Sequence, residues 1–292
     1  MKRLSLKPLI YFFILYILIS VLYFNFSSFT NSFDNKIREQ FFHVRGPIPT
    51  TQNVLIVDVD EKSLKELGQW PFSRDKMAQV LINLTNAQVG IIGLDIIFAE
   101  PDRISPHKMA QTLDIEGDYL NNDVLLGNVI ANTPTILGYF FTTNRENQNS
   151  APIVPLNVKT TQNNSALIDA KGVVPNINSI QQNSYSSGFF NAFSSGTGKL
   201  THMPLLMQYQ NKIYPSLSFE MIRIASQTKN LKLEYENRDL IGISLDDFFV
   251  PTTNKGFFNI NFRGPQKSFQ YLSFADILNN NFKEEDVKGK FV

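Results

Sequence analysis

The chain has no cysteine in its 292 residues. That excludes disulfides, thiolate-bound structural zinc and a cysteine nucleophile, and it is compatible with an oxidising compartment. Charge of one sign is lacking as well. Lys and Arg number 27 against 26 Asp and Glu, for a net +1. The basic residues are scattered rather than striped, so the electrostatic footprint of a nucleic-acid binder is missing. The three histidines, His43, His107 and His202, have no ligand spacing. Neither a G-x-S-x-G elbow nor a P-loop occurs, so nucleophilic and nucleotide hydrolysis lack their local signatures. What is present is 43% hydrophobic residues, enough for one large core or two small ones.

Leu9 to Phe24, LIYFFILYILISVLYF, is the one long uncharged apolar run. With its flanks it reaches about 18 residues, or about 27 Å as a helix, the thickness of a bilayer core. Lys2, Arg3 and Lys7 precede it and no comparable basic cluster follows, which places the N-terminus in the cytoplasm and the rest outside. A cleaved signal peptide is the alternative. The run is longer than an h-region and only Ser27-Ser28-Phe29-Thr30 follows where a small-residue cleavage site belongs, so an uncleaved anchor is expected. This divides the chain into residues 1–26, the cytoplasmic tip and anchor, 27–52, a membrane-proximal helix and linker, and 53–292, the main domain. Phe33, Ile37, Phe41 and Phe42 among charged residues mark that short helix, and Gly46-Pro47-Ile48-Pro49 ends it.

The main domain is organised around 53–102. Val54 to Val57 is a β-branched block that runs into Asp58-Val59-Asp60, and Val89 to Ile97 repeats the pattern around Asp95, with Glu100 and Asp102 just beyond. Between them Met77, Val80, Leu81 and Leu84 form one helical stripe opened by Ser73. Strand, helix and strand predict a right-handed βαβ unit with parallel strands, whose acidic ends open on one sheet edge. Gly68 reads as a helix C′ residue, and Trp70 falls on the loop after it.

Further along, Thr135 to Phe141 reads as a strand. Residues 142–187 read as exposed polar loop with edge strands at Ile153–Val158 and Val173-Val174. Met203 to Tyr209 and Ile213-Tyr214 form a hairpin around Gln210-Asn211-Lys212, and Ser216 caps a helix striped by Leu217, Met221 and Ile224. Ile241 to Val250 and Phe257 to Phe262 read as a second hairpin turning at Gly256. Ala275 to Leu278 starts a last helix, and Lys288 to Val292 reads as the opening of a buried strand. The fold class is α/β, a mixed, largely parallel sheet with flanking helices and hairpins behind one transmembrane helix.

Asp58 and Asp60, two apart on an extended chain, share a face, with Asp95 on the neighbouring strand end. Hard carboxylate oxygens in that arrangement suit Mg²⁺ or Ca²⁺, so a divalent cation at Asp58, Asp60 and Asp95 is the one cofactor the residues suggest. Phosphatases of the haloacid-dehalogenase type use a D-x-D strand end in this way but expect Thr or Val two residues on, where this chain has Lys62. A membrane-anchored, metal-dependent hydrolase is therefore the alternative function. Equally open is a structural role, in which the aspartates cap nearby turns and pair with Arg74 while Trp70 packs.

The segments DVDEKSLKELGQWPFSR (58–74), IIGLDIIFAEPD (91–102), GFFNAF (188–193), PLLMQYQNKIYPSLSFEMIRIA (204–225) and NINFRGP (259–265) occur in an order that resembles the second type of CHASE domain. The resemblance runs from about Phe33 to the C-terminus. It implies an extracellular sensory module of bacterial cyclases, histidine kinases and serine/threonine kinases, with no catalytic residue of its own and a small molecule or ion as ligand. In that family the last strand continues into further membrane helices and an output domain, so the sequence reads as a fragment. Ser194 to His202 departs from the family, whose members carry charged residues there. The candidate ligand contacts are Asp58, Asp60, Trp70, Arg74, Asp95, Glu100 and Arg263. By analogy with other transmembrane sensors, a homodimer in the bacterial inner membrane is expected, with the main domain periplasmic.

Overall fold

The computed structural model describes residues 7–25, 27–142, 154–158, 166–193, 198 and 200–292. It divides into two units, Met1–Ile48 with Phe193–Thr201, and Pro49–Ala192 with His202–Val292. The predicted strand at Ile153–Val158 lies partly outside the described residues. So does most of the departure at Ser194–His202.

The first unit carries α1 (Lys7–Asn25) and α2 (Ser27–Arg45). The apolar run is thus helical, and α2 starts earlier than the expected Ser32. Among the described residues no helix is long and apolar enough to cross a membrane. Phe33, Ile37, Phe41 and Val44 lie exposed along one side of α2.

The second unit opens with β1 (Leu55–Asp58), α3 (Glu61–Leu67), α4 (Arg74–Asn86) and β2 (Ile92–Leu94). α5 (Pro106–Thr112) and α6 (Asn122–Ile130) lead to β3 (Thr135–Thr142), β4 (Gly172–Val174), α7 (Asn178–Gln181) and β5 (Ser187–Phe189). Then come β6 (His202–Pro204), β7 (Leu206–Tyr209), β8 (Lys212–Pro215) and α8 (Leu217–Ala225). β9 (Leu231–Glu236), β10 (Asp239–Leu245), β11 (Phe248–Pro251), β12 (Phe257–Asn259), β13 (Gln270–Ser273) and α9 (Phe274–Leu278) complete it.

β1 and β2 are parallel but not adjacent. The end of the chain lies between them, with Phe291 bridging Val54 on one side and Ile91 on the other, parallel to both. The Phe291 N–H donates to Asn53 O and Val292 N–H to Ile91 O, at 2.8 and 2.9 Å. Leu55 and Gly93 donate back to Phe291 O and Val292 O, each at 2.8 Å. The expectation that Lys288–Val292 opens a buried strand is met in the pairing of Phe291 and Val292 but not in burial, since Lys288 and Gly289 are exposed and Lys290 to Val292 only partly buried. β13 extends the parallel run beyond β1, and β3 and β5 extend it beyond β2.

One sheet face carries Leu55, Ile92, Leu94 and Leu137, covered by the α4 stripe of Met77, Val80, Leu81 and Leu84 and by Leu126 and Ile130 of α6. Burying Leu81 and Leu84 completely stabilises by roughly 1.5–3 kcal/mol each. The other face carries Ile91, Ile136 and Phe291 against Leu217, Met221 and Ile224 of α8. α8 approaches this closely because two sheet positions have no side chain. A Cβ on Gly93 would stand 2.3 Å from Met221 Sδ, and one on Gly188 would stand 2.6 Å from the Leu217 backbone.

Local signals are realised. Gly68 ends α3 with φ +91° and donates to Leu64 O. Ser216 accepts from Phe219 N, and Gln210 and Asn211, both at positive φ, make the two-residue turn between β7 and β8. Two readings are corrected. The expected hairpin of 241–250 with 257–262 does not form. The Asn237-Arg238 and Asp246-Asp247 turns, with φ of 47°, 78° and 49° at the first three, fold β9, β10 and β11 into one meander, while β12 pairs with β6. The polar stretch before Gly188 is not all exposed loop. Asn176 is 1% exposed because its side chain accepts from Phe98 N and donates to Gly138 O and Gln181 Oε1, which satisfies it fully. The sheet is parallel in the run β13, β1, β2, β3 and β5, whereas the β6–β12 region is antiparallel around its own core of Leu206, Leu233 and Ile243.

Gly188→Ala is expected to lower the unfolding free energy by about 1–3 kcal/mol, because backbone rather than a flexible side chain stands in the way. Urea unfolding of the two proteins checks this, and equal midpoints would show that α8 shifts freely.

Candidate functional site

Beyond Leu94 the chain leaves the ladder and, with the loop before α4, walls a cleft of about 760 Å³ at the carboxyl edge of the sheet. Gln69 to Phe72, Arg74 and Asp95 to Ile104 line it. Trp70 stands edge-on to Phe72 at 5.2 Å, and Phe72 leans on Phe274 at 5.2 Å, so the half-buried indole belongs to a packed aromatic row.

Arg74, the first residue of α4, sits at the base with only 9% of its surface exposed. Its Nη2 donates to Glu100 O at 3.1 Å, its guanidinium lies 4.6 Å over the Phe98 ring, and Nε is 3.5 Å from Asp123 Oδ1. Burial pushes the Arg74 pKa down, opposed by Asp123 and Asp102. The Asp123 carboxyl is pushed up, again chiefly by burial, against the Asp102 N–H and Arg74. Desolvation therefore outweighs pairing on both sides of this ion pair.

Asp102 completes the base. Its Oδ2 accepts from the Arg74 N–H at 2.9 Å and from Asn122 Nδ2 at 3.2 Å, its Oδ1 accepts from Ile104 N at 3.1 Å, and its own N–H donates to Asp123 Oδ2 at 3.0 Å. Ser73 stands in the cap position of α4 without a side-chain hydrogen bond. The helix start is capped instead by Asp102, from across the cleft.

The structure brings Trp70, Arg74, Asp95 and Glu100 together on this cleft. Asp95 is exposed at its mouth, yet the protein around it desolvates the carboxyl enough to raise its pKa. Glu100 is exposed and paired with Arg103 at 2.6 Å. Asp58, Asp60 and Arg263 are not among the lining residues. Asp58 ends β1 in the open, opposite Ser273. Arg263 is exposed beyond β12. Asp60 caps α3, its Oδ1 accepting from Ser63 N, Ser63 Oγ and Ser273 Oγ at 2.9, 2.7 and 2.8 Å. Desolvation pushes its pKa up, but these three bonds outweigh it and hold the carboxyl below its usual value.

The suggested metal set of Asp58, Asp60 and Asp95 is therefore corrected. One carboxylate is spent on a helix cap, and among the described residues no group of three His, Cys, Asp or Glu is placed to hold a metal ion. Asp123 and Asn122 escaped the sequence reading. Their signal was the run Asn121-Asn122-Asp123, whose first member caps α6 by accepting from Asp123 N and Val124 N.

With this geometry in view, comparison with protein families matches residues 14–292 to the CHASE2 domain. The chain belongs to the CHASE2 family, which comprises extracellular sensory domains. No curated protein and no solved structure matches it.

Arg74→Ala is expected to cost roughly 3–5 kcal/mol of stability, because it removes the buried countercharge of Asp123 and of Asp102 beside it, although Asp102 keeps its own hydrogen bonds. Arg74→Met combined with Asp123→Leu, which removes charge from both sides, should recover much of that in the same urea measurement. A single variant as stable as the parent would mean the base does not depend on the guanidinium.

Proposed function

We propose that this chain is the extracytoplasmic input region of a membrane-bound bacterial receptor. A small ligand entering the Trp70–Asp95 cleft shifts the sheet edge and thereby controls a cytoplasmic cyclase or kinase. The reading rests on one observation above the others: a formed cleft at the carboxyl edge of a parallel sheet, where α/β folds take up ligands, in a chain of a sensory family. β2 leads from the shared ladder with Val292 directly into the cleft wall at Asp95, so displacement of that wall acts first on the pairing at Gly93.

In this proposal Leu9–Phe24 is the anchor, the N-terminus is cytoplasmic and the main domain is periplasmic. The charge asymmetry of Lys2, Arg3 and Lys7 supports that orientation. The receptor works as a homodimer, a reading supported by the apolar stripe of Phe33, Ile37, Phe41 and Val44 on α2, which offers a second copy an extended contact.

Protease added to intact spheroplasts should degrade the main domain. Protection until lysis would overturn the orientation. For the cleft, metabolites and ions screened by thermal shift on the full chain in nanodiscs should yield a ligand that raises the Tm, and Trp70→Ala should abolish the rise. A ligand whose stabilisation survives Trp70→Ala would move the site elsewhere.

A further inference from the structure

The ligand's chemical class follows from the charges around the cleft, on the reading that the cleft is the sensing site. Each cation lining it is already answered. Arg103 is held by Glu100 at 2.6 Å. Arg74 lies beside two carboxylates, Asp102 and Asp123, so the base carries more negative than positive charge, and its Nε, though without a hydrogen bond, is buried out of an incoming anion's reach. Asp95 differs from its neighbours. Among the described residues its side chain has no hydrogen-bond or ion-pair partner, and desolvation is the one influence acting on its ionisation. Trp70, Ile96 and Ile104 give the same cleft apolar surface, whereas Phe72 and Phe98, which also line it, are buried.

We infer that the cleft selects an organic cation, with Asp95 taking an ammonium group and the Trp70 side of the cleft taking its apolar body. Three alternatives fail on physical grounds. An anion would have to take the exposed Arg103 from Glu100 and would meet Asp95, Glu100 and Asp102 as like charges. A neutral ligand that covers Asp95 desolvates a charge further without pairing it. A bare divalent ion needs several converging oxygens, and the described residues supply no such group. An ammonium is satisfied by one carboxylate, by the backbone carbonyls of an irregular segment and by an aromatic face. At about 760 Å³ the cavity has room for an aryl or alkyl body as well as the head group.

Three probes that share a ring and chain length and differ in head charge test this: 2-phenylethylamine, 2-phenylethanol and phenylacetate. Each is titrated by calorimetry into the full chain in nanodiscs of neutral lipid, which removes attraction of the amine to anionic headgroups. The amine should bind about 10- to 100-fold more tightly than either analogue, the size of a charge-assisted hydrogen bond. Asp95→Asn should bring it level with the alcohol and Asp95→Glu should retain most of the preference, with both variants keeping the parent's ligand-free Tm. Equal or tighter binding of phenylacetate, amine binding unchanged in Asp95→Asn, or no amine binding at millimolar concentration would each overturn the inference. If the alcohol or the acid binds instead and Trp70→Ala removes that binding, the cleft remains the sensing site and only its charge preference is wrong.

Discussion

A guanidinium group removed from water must be met by charge and by acceptors, and Arg74 imposes that demand at the first turn of α4. Asp123 and Asp102 supply the charge and the Glu100 carbonyl accepts from Nη2, while Nε is left without a hydrogen bond 3.5 Å from Asp123 Oδ1. To do so, the chain after β2 folds back over the helix start, and the beginning of α6 is brought to the same place. The folded-back segment is the wall of the cleft. The site is thus shaped by the burial of one cation, which Asp102, alone of the acidic residues near the strand ends, and Asp123 of α6 counter with charge. Such a pair contributes little net stability compared with an apolar filling of the same volume. Its effect is to fix where the loop lies.

That division of labour separates the carboxylates that sequence alone treats alike. Asp60 is consumed by Ser63 and Ser273, Asp102 by the α4 cap, Asp123 by Arg74 and Glu100 by Arg103. Asp95 is left over. Composition cannot distinguish a spent acid from an unspent one, because the difference depends on which donors arrive from distant parts of the chain. Ser273 lies 213 residues from the Asp60 it donates to.

The same distinction explains which parts of the fold were legible. Features set by neighbours in the chain could be read directly: the α4 stripe, the Gly68 stop, the Ser216 cap and the Gln210-Asn211 turn. The family order of motifs carried the identity. What stayed hidden was set at long range. β12 carries no mark that its partner is β6 rather than the nearer β10. Asn176 looks like a loop residue until Phe98, Gly138 and Gln181 are seen around it. The insertion of Phe291 between Val54 and Ile91 follows from hydrogen bonding that no local pattern records. The long segment read as one strand from Ile241 was broken by a single left-handed residue, Asp246, whose carboxylate accepts from Lys229 N and Asn230 N at 3.0 Å each.

Phe98 is pinned on both of its backbone sides. Its N–H goes to Asn176 Oδ1 and its carbonyl accepts from Ile177 N, each at 2.8 Å. Leu94, four residues earlier, is held in register with Leu137. Asp95, Ile96 and Ile97 therefore form a short beam clamped at both supports. Force applied at midspan is carried to the supports in proportion to their stiffness, and here one support is anchored in a buried amide network and the other in a sheet. On the proposed reading, a ligand seated against this segment would load two unlike supports, the Asn176 amide network at one end and the sheet at the other.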